Sequence, residues 1–260
     1  MDELAAALLP AEIGSAVAIA LLVLSAATSF ITSAFGIGGG VVMIGILASL
    51  LPPVVLIPIH GFVQLGSNIG RTALLIRHVE WRTVPAYLGG TVAGAALGGM
   101  IAVNLPGAVV QAGVGLFILF SIYVGTPDFG RAAGWVIGGI ASFLSMFFGA
   151  TGPFVANYVR SMQLGRMEHV ATHGMMMTIQ HVLKVLAFGL LGFAFGPYLP
   201  LLAGMIATGF LGTVIGRQVL LRTDDGKFRL ALKIILTLLA LRLIWAGLWP
   251  LFWPQRAGAG

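Results

Sequence analysis

Apolar runs of about 20 residues recur along almost the whole 260-residue chain, separated by short stretches that hold proline, glycine and charge. A helix of that length crosses a bilayer core of about 30 Å. Only 8% of the residues are charged, whereas a soluble domain carries about 25%. The sequence therefore predicts an all-α polytopic membrane protein, and it excludes a soluble enzyme, a nucleic-acid-binding protein and a disordered chain.

The formal net charge of +6 has an explanation that needs no nucleic acid, because cytoplasmic loops of membrane proteins are rich in lysine and arginine. The chain has no cysteine, so disulfides, thiolate chemistry and sulfur-ligated metals are excluded. Residues 1–14 hold no basic residue, which is atypical of a cleavable signal peptide. We therefore expect the first apolar segment to remain as a membrane helix.

The positions of proline, glycine and charge divide residues 1–260, taken as one transmembrane domain, into ten helical elements. Their approximate ranges are 13–34, 41–51, 54–76, 84–103, 108–124, 133–148, 154–163, 167–195, 197–220 and 229–252. Elements of about 20 residues can cross the membrane, but 41–51 and 154–163 reach only about 15 Å at 1.5 Å per residue. These two are predicted to be half-helices.

The two sets of five elements match each other at a constant offset of 113 positions. The stretch Phe35 to Gly40 aligns with Phe148 to Pro153, His60-Gly61 aligns with His173-Gly174, and Arg71 aligns with Lys184. A shared register across a glycine-rich break, a His-Gly pair and a cation indicates an internal duplication. Repeat 1 covers about residues 13–126 and repeat 2 about residues 131–252.

The basic residues predict the orientation of the chain. They concentrate in four connections, which the positive-inside rule places in the cytoplasm. The first repeat then starts outside and the second inside, so we expect two inverted-topology repeats in the inner membrane with both termini outside. Whether the element 13–34 crosses the membrane fully stays open.

The two glycine-rich breaks are the first candidate site. Non-helical backbone survives at membrane depth only inside protein or beside a wet cavity, and paired breaks in inverted halves indicate a transport site. Each half-helix would offer free amide donors and a positive dipole end to an anion. The candidate binding residues here are Gly38, Gly39, Gly40, Thr151 and Gly152.

A polar stripe follows each break, because residues spaced by helical periodicity share one face. The first stripe comprises His60, Gln64, Ser67 and Arg71, with Asn68 at its margin. The second comprises His173, Gln180 and Lys184, with His181 in the place of Asn68 and Met177 in the place of Gln64. Ionisable groups are costly in a membrane and by default indicate function.

The charges of these stripes predict the ligand. In an antiparallel arrangement, His60 approaches the level of Lys184 and His173 that of Arg71. All eight acidic residues fall in loops, termini or helix ends. A positive cavity without carboxylates favours a small anion, and no metal or other cofactor is expected. A coupling ion, H⁺ or Na⁺, and homo-oligomerisation stay open, as does the role of Arg242 at the site or at the lipid.

The stretch Ala34 to Gly40 and its diverged copy Phe148 to Pro153, in a small duplicated apolar chain, resemble the TauE/SafE sulfite exporter family of bacterial membrane transporters. The resemblance spans about residues 15–250. It implies transport, usually outward, of sulfite, of sulfonates such as sulfoacetate, or of related organosulfur anions. Thr151 stands where the first repeat has Gly38, and its hydroxyl could bind a ligand oxygen.

Our leading hypothesis is a secondary transporter that exports such an anion by alternating access, and not an enzyme. The anion would lie between the two breaks, with Arg71 and Lys184 supplying charge. One alternative is an anion channel that uses the same residues. Another is a membrane-embedded enzyme in which His60, His173 and His181 bind a metal, although the missing carboxylates weaken it.

Overall fold

A computed structural model describes residues 13–35, 38–102, 105–124, 133–149, 151–220 and 226–252. Within these ranges the chain forms ten α-helices, joined in places by short 3₁₀ turns, and no strand. The helices are α1 Ser15–Phe35, α2 Gly39–Leu50, α3 Pro53–Leu75, α4 Val84–Ala102, α5 Gly107–Tyr123, α6 Gly134–Phe148, α7 Gly152–Ser161, α8 Arg166–Leu190, α9 Leu199–Leu220 and α10 Gly226–Phe252. The predicted all-helical class is confirmed.

The two predicted half-helices are present as α2 and α7, with 12 and 10 residues. Gly38, at the start of α2, has a φ of 107°, and Gly149, at the end of α6, has a φ of 71°. Side chains rarely adopt this left-handed conformation, so glycine permits both bends. Pro153 lies in the first turn of α7, where a proline costs no hydrogen bond.

One predicted boundary was wrong. The sequence placed the end of the eighth element at residue 195, whereas α8 ends at Leu190. Gly192 then takes a φ of 96°, which turns the chain out of the helix. The apolar residues after Leu190 continue the hydropathy pattern but belong to the following turn.

The outer surface of the helices is apolar. Ile19, Val23, Leu97, Met100 and Leu238 are all more than half exposed. Among the described residues, three helical segments combine the length and hydropathy needed to cross a membrane, namely Ser15–Phe35, Trp81–Ala102 and Gly196–Val219. Lipid is the environment in which so much exposed apolar surface is stable.

Glycines bring two pairs of helices into backbone contact. Helix α4 lies against α6, where Gly90, Gly94 and Gly98 face the carbonyls of Trp135, Gly139 and Phe143. Helix α9 lies against α1, where Gly212 and Gly216 face the carbonyls of Ala26 and Phe30. In both pairs the residue numbers of the contacts increase in the same direction along the two helices, so the helices are parallel. Small residues at these positions let the helix backbones approach closely.

Two further pairs are antiparallel. On α3 and α8, Gly61 contacts Lys184 and Gly174 contacts Arg71. On α5 and α10, a Cβ added to Gly115 would lie 2.6 Å from the carbonyl oxygen of Ala240, and one on Gly247 would lie 2.7 Å from that of Ala108. The central pair, α3 with α8, carries both polar stripes.

Each half-helix is enclosed by protein. Residues of α2 such as Met43 and Ile44 are fully buried in the largest apolar cluster, and Val155 and Val159 of α7 are fully buried in a second one. A third small cluster contains Leu75, Val79, Val170 and Ala171, where α3 ends and α8 begins. The two half-helices are therefore shielded from lipid, as expected for helices too short to cross a membrane.

Candidate functional site

A small cavity lies where the two half-helices begin, against the polar faces of α3 and α8. Its volume is about 30 Å³, which is room for about one or two waters. It is lined by Thr32, Gly38, Gly40, Val41, Gln64, Ser67, Asn68, Arg71, Gly149, Gly152, Pro153, His173, Met177 and His181. We call this space the Arg71 cavity.

The structure separates the predicted site residues into two groups. Nine of the fourteen line the Arg71 cavity, namely Gly38, Gly40, Gln64, Ser67, Asn68, Arg71, Gly152, His173 and His181. The other five, Gly39, His60, Thr151, Gln180 and Lys184, are buried next to it without lining it. Arg242 is exposed on α10 and does not belong to the cavity.

The two equivalent histidines hold the two half-helices in the same way. His60 Nε2 donates to the carbonyl of Gly40 at 3.1 Å, and His173 Nε2 donates to that of Gly152 at 3.1 Å. A carbonyl only accepts, so each Nε2 carries the hydrogen. The Nδ1 atom of each ring is buried and has no hydrogen-bond partner among the described residues.

Arg71 is fixed at the wall of the cavity by its own helix. Its guanidinium donates to Asn68 Oδ1, and Asn68 Nδ2 donates to the Gln64 carbonyl at 2.6 Å. Only 3% of Arg71 is exposed, and its Nε has no partner among the described residues. The neutral amide of Asn68 orients the guanidinium without neutralising its charge, so the cation remains available to an anion.

A chain of three side chains supports the start of α7. Tyr87, on α4, donates to Gln180 Oε1 at 3.0 Å, and Gln180 Nε2 donates to Thr151 Oγ1 at 2.6 Å. Sequence reasoning missed Tyr87, because a single aromatic residue in a glycine-rich helix gives no periodic signal. In the first half, the equivalent of Gln180 is Ser67, which bonds to Ser29 at 2.9 Å.

Lys184 and Arg71 lie at different levels of the α3–α8 pair, because Lys184 contacts Gly61 and Arg71 contacts Gly174. Its carbon chain packs on Gly61, and its ammonium is buried with no hydrogen-bond partner in the part of the chain described. Both ring nitrogens of His181 are likewise without a partner there. The rings of His60 and His181 meet edge to face, with centroids 5.9 Å apart.

No carboxylate lines the Arg71 cavity among the described residues. Of the acidic residues, the structure describes Glu80 and Glu168, and both are only partly buried near the ends of α3 and α8. The interior therefore holds two cations, three histidines and neutral donors, with no fixed negative charge from a described side chain. This composition suits an anionic ligand.

A metal site built from the three histidines does not form. Within the described ranges, no three His, Asp or Glu side chains come close enough together to hold a metal ion. His60 and His173 instead bond to different half-helices. The metal-enzyme alternative therefore lacks its central arrangement.

The fold and site together define a class of protein, a helical membrane transporter with two interrupted helices that meet at a buried cationic cavity. The family model of the sulfite exporters TauE/SafE matches residues 20–243, and the chain belongs to this family. The family consists of transporters rather than enzymes, and the resemblance seen in the sequence is confirmed. Comparison with curated proteins and with solved structures gives no match.

Proposed function

We propose that this protein is a secondary transporter that exports a small sulfur-containing anion, such as sulfite, sulfoacetate or a related sulfonate, across the bacterial inner membrane. The Arg71 cavity is its central binding site. The observation that carries the proposal is the buried Arg71, which lines a carboxylate-free cavity between the starts of two half-helices. Amide donors, helix dipoles and a guanidinium act there on the same ligand.

The ligand would be bound from several directions. Arg71 provides the charge, Asn68 and Ser67 provide neutral polar groups, and the first residues of α2 and α7 line the cavity. Thr151 and Gln180 hold the start of α7 from behind. A sulfur oxyanion is larger than the cavity of about 30 Å³, so the site has to widen as substrate enters. An enclosed site that must open favours alternating access over a continuous pore.

Helix packing supports the proposal that the two halves are inverted repeats. The third helices of the halves, α3 and α8, pack antiparallel through equivalent glycines, Gly61 and Gly174. The fifth helices, α5 and α10, also pack antiparallel, and the first helix of each half packs parallel to the fourth of the other. These directions are the ones expected if a two-fold axis in the plane of the membrane relates the two halves.

Charge at the helix ends supports the proposed orientation with both termini outside. Arg77 and Arg82 are exposed in the connection between α3 and α4. Arg160, in the last turn of α7, and Arg166, at the start of α8, are exposed on either side of the connection between these two helices. These connections would be cytoplasmic under the positive-inside rule. Trp245 and Trp249 are exposed near the end of α10, where an aromatic belt would mark the outer interface.

The proposal is tested by transport in proteoliposomes with ³⁵S-sulfite. Arg71→Met removes the charge while keeping an apolar chain of similar length. We expect at least a tenfold fall in kcat/KM, because loss of one partner of a buried charge pair costs about 2–5 kcal/mol. Arg77→Met, on the exposed connection, is the matched control and should transport normally. Normal transport by Arg71→Met would refute the assignment.

Counterflow separates a transporter from a channel. Internal unlabelled sulfite should accelerate uptake of external labelled sulfite if one site faces the two sides in turn. Flux that neither saturates nor shows counterflow would favour a channel lined by the same residues.

A further inference from the structure

Four buried nitrogen atoms on side chains near the contact of Lys184 with Gly61 have no acceptor among the described residues. They are Lys184 Nζ, both ring nitrogens of His181, and His60 Nδ1, all buried and without hydrogen-bond partners in the ranges the structure describes. Lys184 packs on Gly61, next to His60, and the His60 ring contacts the His181 ring. Three neighbouring side chains thus bring a buried ammonium and two rings together without a described acceptor for the ammonium.

Such a cluster differs from the surroundings of Arg71. Arg71 donates to Asn68 Oδ1, whereas Lys184 is only 1% exposed and its ammonium bonds to no described residue. A buried ammonium is costly unless it is paired and hydrogen-bonded. An anion would supply the missing partner, because the described carboxylates, Glu80 and Glu168, lie near the other ends of these helices and a neutral acceptor leaves the charge of the ammonium uncompensated.

The location lies between the Arg71 cavity and a larger space. An apolar vestibule of about 320 Å³ is lined in part by Ile57 and Phe188. Ile57 is four residues from Gly61 on α3, and Phe188 is four residues from Lys184 on α8. Both lie one helical turn from the Lys184–Gly61 contact. An anion passing between the Arg71 cavity and the vestibule therefore meets Lys184 on the way.

His181 is common to both places. It lines the Arg71 cavity and also contacts His60 beside Lys184. Because both of its ring nitrogens are free of described partners, either neutral tautomer can donate one N–H to a ligand. His60 donates its Nε2–H to the carbonyl of Gly40, so its ring borders the region beside Lys184 without donating a hydrogen bond to a ligand there.

We propose that Lys184 and His181, walled by His60, form a second anion subsite for one sulfite or sulfonate group, distinct from the Arg71 cavity and nearer the vestibule. The proposal rests on the proposed function. During transport an anion would pass from one subsite to the other, and at saturation each subsite would hold one anion, with the single N–H of His181 donated to one of the two. The Lys184 side chain has four rotatable bonds and can follow the ligand during this step.

The number of sulfite ions bound per chain tests the second subsite. Equilibrium binding of ³⁵S-sulfite to the full chain in detergent should give two ions per wild-type chain at saturation. Lys184→Met keeps the carbon chain over Gly61 and should bind one, with the affinity of the remaining wild-type site. Arg71→Met should also bind one, and the double variant none. Lys184→Gln serves as a second neutral variant if Lys184→Met fails to fold.

A single bound sulfite in the wild type would overturn the second subsite, and so would complete loss of binding in Lys184→Met. Two ions retained by Lys184→Met would overturn it as well. None of these results affects the proposed function, which fails separately if the wild type neither binds sulfite nor transports it. A single-ion wild type that still transports would leave the Arg71 cavity as the whole site.

Discussion

Gly94→Ala tests the backbone contact between α4 and α6. A Cβ on Gly94 would lie 2.8 Å from the carbonyl carbon and 3.0 Å from the Cα of Gly139, and still closer to its carbonyl oxygen. All three neighbours are backbone atoms of a helix, so none can rotate away. The variant can fold only if the two helices separate or shift.

The size of the effect is the difference between two opposing contributions. Overpacking in a well-packed interior costs about 1–3 kcal/mol, and backbone contact places Gly94→Ala at the upper end. Alanine recovers about 1 kcal/mol of helix propensity relative to glycine. We expect a net loss of about 2 kcal/mol in the free energy of unfolding. For a chain of this size that lowers Tm by about 4–8 °C.

Gly139→Ala is a matched control in the same helix pair. Its Cβ would lie 3.5 Å from the carbonyl oxygen of Gly90, an ordinary contact, so its Tm should stay unchanged or rise slightly. The measurement is thermal unfolding of both variants in the same detergent, followed by circular dichroism. If Gly94→Ala melts with the wild type, or Gly139→Ala falls as far, the close approach of α4 and α6 is wrong.

Two further predictions concern the site and its access. Tyr87→Phe removes the hydroxyl that donates to Gln180, and Gln180 in turn donates to Thr151 at the start of α7. Loss of one such hydrogen bond costs about 1 kcal/mol, so we expect KM for sulfite in proteoliposomes to rise about fivefold with kcat unchanged. A wild-type KM would contradict this. Because the chain has no cysteine, Ile57→Cys and Val170→Cys can each report access alone. Both side chains are buried, with 4% of Ile57 and 3% of Val170 exposed, but Ile57 lines the vestibule, whereas Val170 lines neither the vestibule nor the Arg71 cavity. A membrane-impermeant maleimide should therefore label Ile57→Cys faster than Val170→Cys in the resting protein, and equal rates would refute the difference.

The cysteine experiment follows from an asymmetry between pseudo-equivalent positions. At the offset of 113 residues, Ile57 corresponds to Val170 and Leu75 corresponds to Phe188. Ile57 and Phe188 line the vestibule, whereas Leu75 and Val170 pack together at the other end of the same helix pair. If the two halves exchange these arrangements during transport, Leu75 and Val170 would line a vestibule at their own end of the helix pair. Addition of substrate should then increase the rate at which maleimide labels Val170→Cys.

Local features of the sequence anticipated most of the architecture. Apolar length, proline and glycine predicted ten helices, two of them short, because helix formation depends mainly on residues that are close together in the sequence. Helical periodicity placed His60 with Arg71, and His173 with Lys184, on one face each. The notable error, the end of α8, came from Gly192, where an apolar pattern continues past a left-handed residue that ends the helix.

The long-range arrangement of the site was outside the reach of these patterns. Periodicity put Arg71 and Lys184 at equivalent positions and led us to expect one shared site. In the structure Arg71 lines a cavity, whereas Lys184 packs on Gly61 and does not line that cavity. Tyr87 joins the site from α4 through a hydrogen bond that no sequence spacing indicates.

By itself, the sequence determined that this is a polytopic helical membrane protein of the sulfite exporter family, with interior cations and no interior carboxylate. Composition, apolar length and the glycine-rich motifs are sufficient for this assignment, because only helices and closed barrels satisfy their backbone hydrogen bonds inside a bilayer. Only the tertiary structure decided which polar atoms meet and which stay without a partner. That outcome depends on how far α3 and α8 slide and rotate against each other, and close glycine contacts between distant segments fix those offsets.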